Sequence, residues 1–141
     1  MSVLIQQPGL IVEQGTWTPL LQFGGAAVGM SYSTQLGSYV RIGKLVFATA
    51  SIALSGKGSS SGGAAVAGLP YTSANDGISR AGVVGFAANM STITGALITV
   101  IQPNTTRFSL YHSNNGAGTG LTNSNFNNSS QLHLSAVYEM A

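Results

Sequence analysis

Five side chains carry the carboxylate and imidazole groups that most often move protons in an active site: Glu13, Asp76, Glu139, His112 and His133. Paired-carboxylate chemistry needs two acids in unlike environments, so that one stays protonated while the other ionises. The spacing of these three acids brings no two together, and each reads as a solvated or singly ion-paired residue. His112 is in phase with Phe108 and Leu110, whereas His133 is in phase with a polar set. Neither has a carboxylate nearby, so metal-ligand spacing is missing. The 18 serines make a Ser-His-Asp set combinatorially available, but there is no G-x-S-x-G elbow, and Gly29-Met30-Ser31-Tyr32-Ser33 ends in Ser. Gly116-Ala117-Gly118-Thr119-Gly120 lacks the second half of G-x-G-x-x-G, a following helix, and a Lys before Ser or Thr. Without cysteine there is no disulfide, thiolate ligand or Cys nucleophile. The expectation is a protein that is not an enzyme and that holds no metal or cofactor.

Binding chemistry has more material. Trp17, Tyr32, Tyr39, Tyr71 and Tyr111 combine a ring face with a polar tip, which suits stacking on sugar rings. Asn114 and Asn115, in the Asn/Ser/Gly-rich segment 113–130, can both donate and accept hydrogen bonds. The same rings equally suit strand ends and contacts between subunits. These seven residues are the candidate glycan or subunit contacts.

The elements that must position them are strands. Glycine is frequent, and Glu-to-Lys pairs at helical spacing are missing. Residues 16–23 read as a strand that Pro19 pushes to an edge or a bulge. Strands follow over 28–33 and 38–42, with a polar turn around Gln35 and Gly37. In 44–55, Val46, Ala48, Ala50, Ile52 and Leu54 alternate with Leu45, Phe47, Thr49, Ser51 and Ala53. Residues 56–63 form a flexible loop by composition. Further strands are expected over 63–69, 80–89, 93–101, 106–112 and 131–140. Segment 113–130 is either a long loop or two short irregular strands. About eight to ten short strands with regular turn signals predict an all-β antiparallel sandwich, jelly-roll-like. Residues 1–12 read as an N-terminal arm and 13–141 as a single domain.

Composition narrows the function classes. Charged residues make up 6% of the 141, against about a quarter in ordinary domains. Ser, Thr, Asn and Gly together account for 58 residues. No two basic residues are adjacent, which argues against a phosphate-tracking nucleic-acid binder. The longest apolar runs fall far short of the roughly 18 residues a membrane helix needs, so no membrane insertion is expected. A nearly ion-free surface loses little on desolvation and suits packing against copies of itself or a partner.

One stretch carries a family likeness. Gly15-Thr16-Trp17-Thr18-Pro19, Phe23-Gly24-Gly25, Tyr32-Ser33-Thr34-Gln35 with Gly37 and Tyr39, Arg41-Ile42-Gly43, Lys57-Gly58 and Gly68-Leu69-Pro70-Tyr71 resemble a module of tailed bacteriophages. That module recurs at the C-terminal ends of tail fibres and tailspikes, and in small virion proteins. The resemblance covers residues 13 to 72 and implies a homo-oligomer, dimer or trimer, on the outside of a virion made in the host cytoplasm. Gly15, Gly37 and Gly43 are expected to supply turns, Trp17 a core plug, and Gly68-Leu69-Pro70 a strand stop.

A fibre carries a shaft and an anchor before this pattern, whereas here about a dozen residues precede it, beginning with Met. The first expectation is therefore a capsid decoration, or cement, protein that bridges subunits of the major capsid protein. The alternative is a tail-fibre or tailspike domain that binds a host surface glycan. A polysaccharide hydrolase has least support, given three acids.

Overall fold

The chain passes from one edge of its sheet to the other in two residues. A computed structural model describes residues 10–141, so most of the expected N-terminal arm lies outside the described residues. Ten strands are present among them: β1 Val12–Trp17, β2 Leu20–Phe23, β3 Ser31–Ile42, β4 Leu45–Gly56, β5 Ala64–Ala67, β6 Arg80–Met90, β7 Leu97–Ile101, β8 Arg107–Asn114, β9 Ala117–Gly120 and β10 Phe126–Glu139. All pairings are antiparallel, in the order β1-β3-β4-β10-β6-β7-β8-β5-β2, with β9 on β8. β1 and β2 are the two edges, yet only Thr18 and Pro19 separate them. Proline has no N–H for a ladder, so the expected single strand over 16–23 breaks there.

The all-β antiparallel class is as expected, but the two sheets of a jelly-roll sandwich are replaced by one continuous sheet curled into a half-barrel. The physical reason lies in β10. It pairs with β4 over residues 131–139 and with β6 on its other side, so it joins what would otherwise be separate layers. A bulge at Gly85, between the pairs Leu134↔Val84 and His133↔Phe86, adds twist where the sheet rolls. Bonds then cross the seam between the edges. The Leu21 amide of β2 donates to the Tyr32 hydroxyl of β3 at 3.0 Å, and Gln35 Nε2 donates to the Pro19 carbonyl at 2.8 Å.

Strand alternation fills the interior as expected. Val46, Ala48, Ala50, Ile52 and Leu54 of β4 are buried, as are Leu132, Leu134, Ala136 and Tyr138 of β10 and Phe108 and Leu110 of β8. Phe23 and Phe126 meet at 5.0 Å between centroids. Each buried Val, Ile, Leu or Phe among them contributes roughly 1.5–3 kcal/mol.

Two expectations change. Gln35 and Gly37 do not turn the chain; both lie within β3, opposite Ile52 and Ala50. Gly15 and Gly37 likewise supply room, not turns. A Cβ on Gly37 would lie 2.8 Å from the Trp17 indole, and one on Gly15 would lie 2.8 Å from the Tyr39 ring. Gly43 does turn the chain, at φ 58°, between the paired residues Ile42 and Leu45. Segment 113–130 resolves into the end of β8, β9, a short 3-10 turn over Asn123–Asn125 and the start of β10.

Candidate functional site

The first site builds from register. β1 and β3 place Glu13 opposite Arg41, Gly15 opposite Tyr39 and Trp17 opposite Gly37, all facing the inside of the curl. The segment after β5 brings Tyr71 against them. Glu13 Oε1 accepts from the Tyr39 hydroxyl at 2.5 Å and from the Tyr71 hydroxyl at 2.6 Å. Arg41 lies 3.8 Å from Glu13 Oε2 and 5.1 Å from the centre of the Tyr71 ring, and the two tyrosines meet edge-on at 5.7 Å.

These contacts set the local acid–base character. The Tyr39 hydrogen bond, then that of Tyr71, hold the Glu13 carboxyl below its ordinary value; Arg41 adds to this, and partial desolvation opposes it. Tyr39 is pushed well up, mainly because its hydroxyl donates a hydrogen bond to Glu13. Burial lifts Tyr138 to about 12; its hydroxyl donates to the Tyr71 carbonyl at 2.9 Å. The two hydrogen bonds and the ion pair tie β1, β3 and the segment after β5 together as a clamp.

The other two acids converge on one guanidinium. Asp76 and Glu139 both approach Arg80, at 2.7 and 3.8 Å. Arg80, with the Ile78 amide, holds the Asp76 carboxyl down at about 2. His112 is buried, and its Nδ1 accepts from the Thr94 amide at 3.0 Å, whereas exposed His133 lies 5.1 Å from the Phe86 ring. No group of three or more His, Asp or Glu among the described residues is placed to hold a metal.

The other candidate contacts separate into spent and available. Trp17 is buried at 8% exposure, and its Nε1 donates to the Ser38 and Thr49 carbonyls, each at 3.1 Å, so it offers no ring face to a sugar. Tyr32, half-buried, accepts from Leu21, and burial raises its pKa. Tyr111, also half-buried, lines a pocket of about 290 Å³ with Arg107 and Ser109 on the outer side of β8. Among the described residues Arg107 has no carboxylate partner, unlike Arg41 and Arg80. Asn115 sits exposed in the β8–β9 turn, and the Asn114 side chain lies outside what the structure describes.

Sequence reasoning missed Glu13 as a hub. The signal was present as a mirrored pattern: Glu13-x-Gly15-x-Trp17 read against Gly37-x-Tyr39-x-Arg41 in antiparallel register. It also missed a trough of about 620 Å³ on the outer face, floored by Ser38, Thr49, Ser51 and Ser135 and flanked by Leu36 and Val83.

The curled antiparallel sheet is similar in fold to part of a phage tailspike. The solved structure of the Dettilon tailspike protein, gp208, matches 92% of this chain with a TM-score of 0.78 at 16% sequence identity. At that identity the likeness is one of fold, and the chain spans about a quarter (24%) of that tailspike's length. No family model and no curated protein sequence matches the chain.

Proposed function

We propose that this chain is a non-enzymatic structural module of a tailspike-like or tail-fibre-like bacteriophage protein, carried outside the virion, which adheres to a host surface saccharide. The fold match to the Dettilon tailspike over 92% of the chain is the observation that carries the reading. It supports the tail over a cement role on the head, which drew on sequence pattern and chain length alone. The scarcity of charge supports assembly with copies of itself and with other virion proteins, and it argues against nucleic acid as a partner.

The pocket beside Tyr111 is the saccharide site this reading favours. Four residues of extended chain set Arg107 and Tyr111 roughly 13 Å apart on one face, with Ser109 between them. Tyr111 supplies a ring edge or face, Ser109 a hydroxyl, and Arg107 donors not engaged by a carboxylate. Binding of the purified assembly to host envelope saccharides tests it. Tyr111→Ala and Arg107→Ala are each expected to weaken binding about tenfold, near 1.4 kcal/mol. Binding unchanged in both variants, or undetectable with the intact assembly, would overturn the adhesion reading.

A further inference from the structure

The outer face of the sheet is unexpectedly apolar, and its rows follow from register. Val12, Ile42 and Leu45 stand side by side across β1, β3 and β4; Val40, Phe47 and Val137 do so across β3, β4 and β10. These six side chains are 42–69% exposed and contiguous. The next row outward on the same strands is small: Ser38, Thr49 and Ser135, ending at exposed Val83 of β6. A ridge of large apolar groups thus borders the trough of about 620 Å³. Glu139 is the one carboxylate on these rows, at a corner opposite Leu45.

We infer that this face, across β1, β3, β4, β10 and β6, is the interface between copies of this chain. Area argues for it. β3, β4 and β10 run side by side over nine residues, flanked by six of β1 and five of β6; at about 4.8 Å between strands and about 3.3 Å per residue they give a face of roughly 600 Å², at the lower end of the roughly 600–1,000 Å² per partner of a stable interface. Shape argues for a second copy in particular. Ridge and trough lie side by side on one surface, so the ridge of one copy can fill the trough of another. A face with almost no charge has little with which to select a different partner electrostatically. The inference rests on reading the chain as an assembling virion module and is independent of what the Tyr111 pocket binds.

Sedimentation velocity of the whole chain tests it. The wild type is expected to be oligomeric at about 100 μM, a modest demand for an interface of this size. Phe47→Glu and Val40→Glu are expected to give folded monomers, whereas Val28→Glu, in an exposed turn away from this face, stays oligomeric. Should the Phe47 and Val40 variants fail to fold, a nitroxide on Ser51→Cys reads the trough directly, since the chain has no cysteine of its own. Immobilisation that grows with protein concentration supports the inference. A wild-type monomer overturns it, as does an oligomer that survives Phe47→Glu. A label immobilised at every concentration, as residues 1–9 folding over the face would produce, overturns it too, and so does one immobilised only by another virion protein. A monomer that still binds saccharide would defeat this interface and leave the adhesion reading standing. An oligomer that binds no saccharide would do the opposite.

Discussion

The Trp17 indole lies across Gly37 of the neighbouring strand, so close that a Cβ on that glycine would come within 2.8 Å of the ring. The relationship is reciprocal one step along the ladder, where the Tyr39 ring covers Gly15. An aromatic on each strand is seated by a glycine on the other. This arrangement fixes the register that sets Glu13 opposite Arg41.

Gly37→Ala should therefore destabilise the fold by about 1–3 kcal/mol, the usual range for forcing a group into packed space. Gly63→Ala is the control: a Cβ there has nothing within 4 Å, and its effect should stay within about 0.5 kcal/mol. Urea unfolding of both variants checks the contrast. Equal small effects would remove the packing role assigned to Gly37.

The Glu13 clamp predicts acid sensitivity. Its carboxyl lies below its ordinary value of 4.5 in the folded chain, and that of Asp76 falls from 3.8 to about 2. A depressed carboxyl stabilises the fold above its unfolded pKa and loses that contribution as pH falls through its folded one. Stability should thus decline from about pH 5 downward. Glu13→Gln and Asp76→Asn should each flatten that decline, measured as urea midpoints across the acid range. An unchanged slope in both variants would count against the clamp.

At the alkaline end the sign reverses. Tyr138 rises from 10.0 to about 12, and Tyr39 is raised by its bond to Glu13. Their contribution is intact below pH 10 and is lost as pH climbs through the folded values. Tyrosinate absorbance should show Tyr39 and Tyr138, with half-buried Tyr32, ionising late, together with unfolding. Tyr138→Phe should abolish one late step. It should also cost about 1–3 kcal/mol, because the Tyr71 carbonyl loses its 2.9 Å donor.

The β8–β9 hairpin turns on Asn115 and Gly116, at φ 51° and 80°, between the paired residues Asn114 and Ala117. Gly116→Val should cost about 1–2 kcal/mol through its left-handed backbone, and β9 amides should exchange faster. Protection unchanged in β9 would show that the turn does not hold this hairpin.

Much of the fold was legible where alternation was clean. In β4, β8 and β10 the buried set is the one read from residue order, because each strand has one face in the core. It was illegible where tertiary contact overrode a local signal. Gly37 looked like a turn because the indole that occupies its missing side chain arrives from residue 17. Asn115-Gly116 is a strong hairpin dipeptide, but polar and glycine flanks concealed it. The single sheet was hidden because β10 pairs on both sides, which no strand pattern announces. For the site, residue type picked out Tyr39 and Tyr71, but only β1–β3 register brings them to Glu13. The low charge pointed to a surface of small polar residues, whereas the outer face carries Phe47, Val40 and Val137, invisible until burial is known.

Where the chain sits on the particle tests the account most directly. Electron cryomicroscopy of the virion, with this chain marked by antibody or by a fused tag, should place it at the tail, as density matching the curled ten-stranded sheet. Density distributed over the capsid lattice, with none on the tail, would contradict the account and return the chain to the role of head cement.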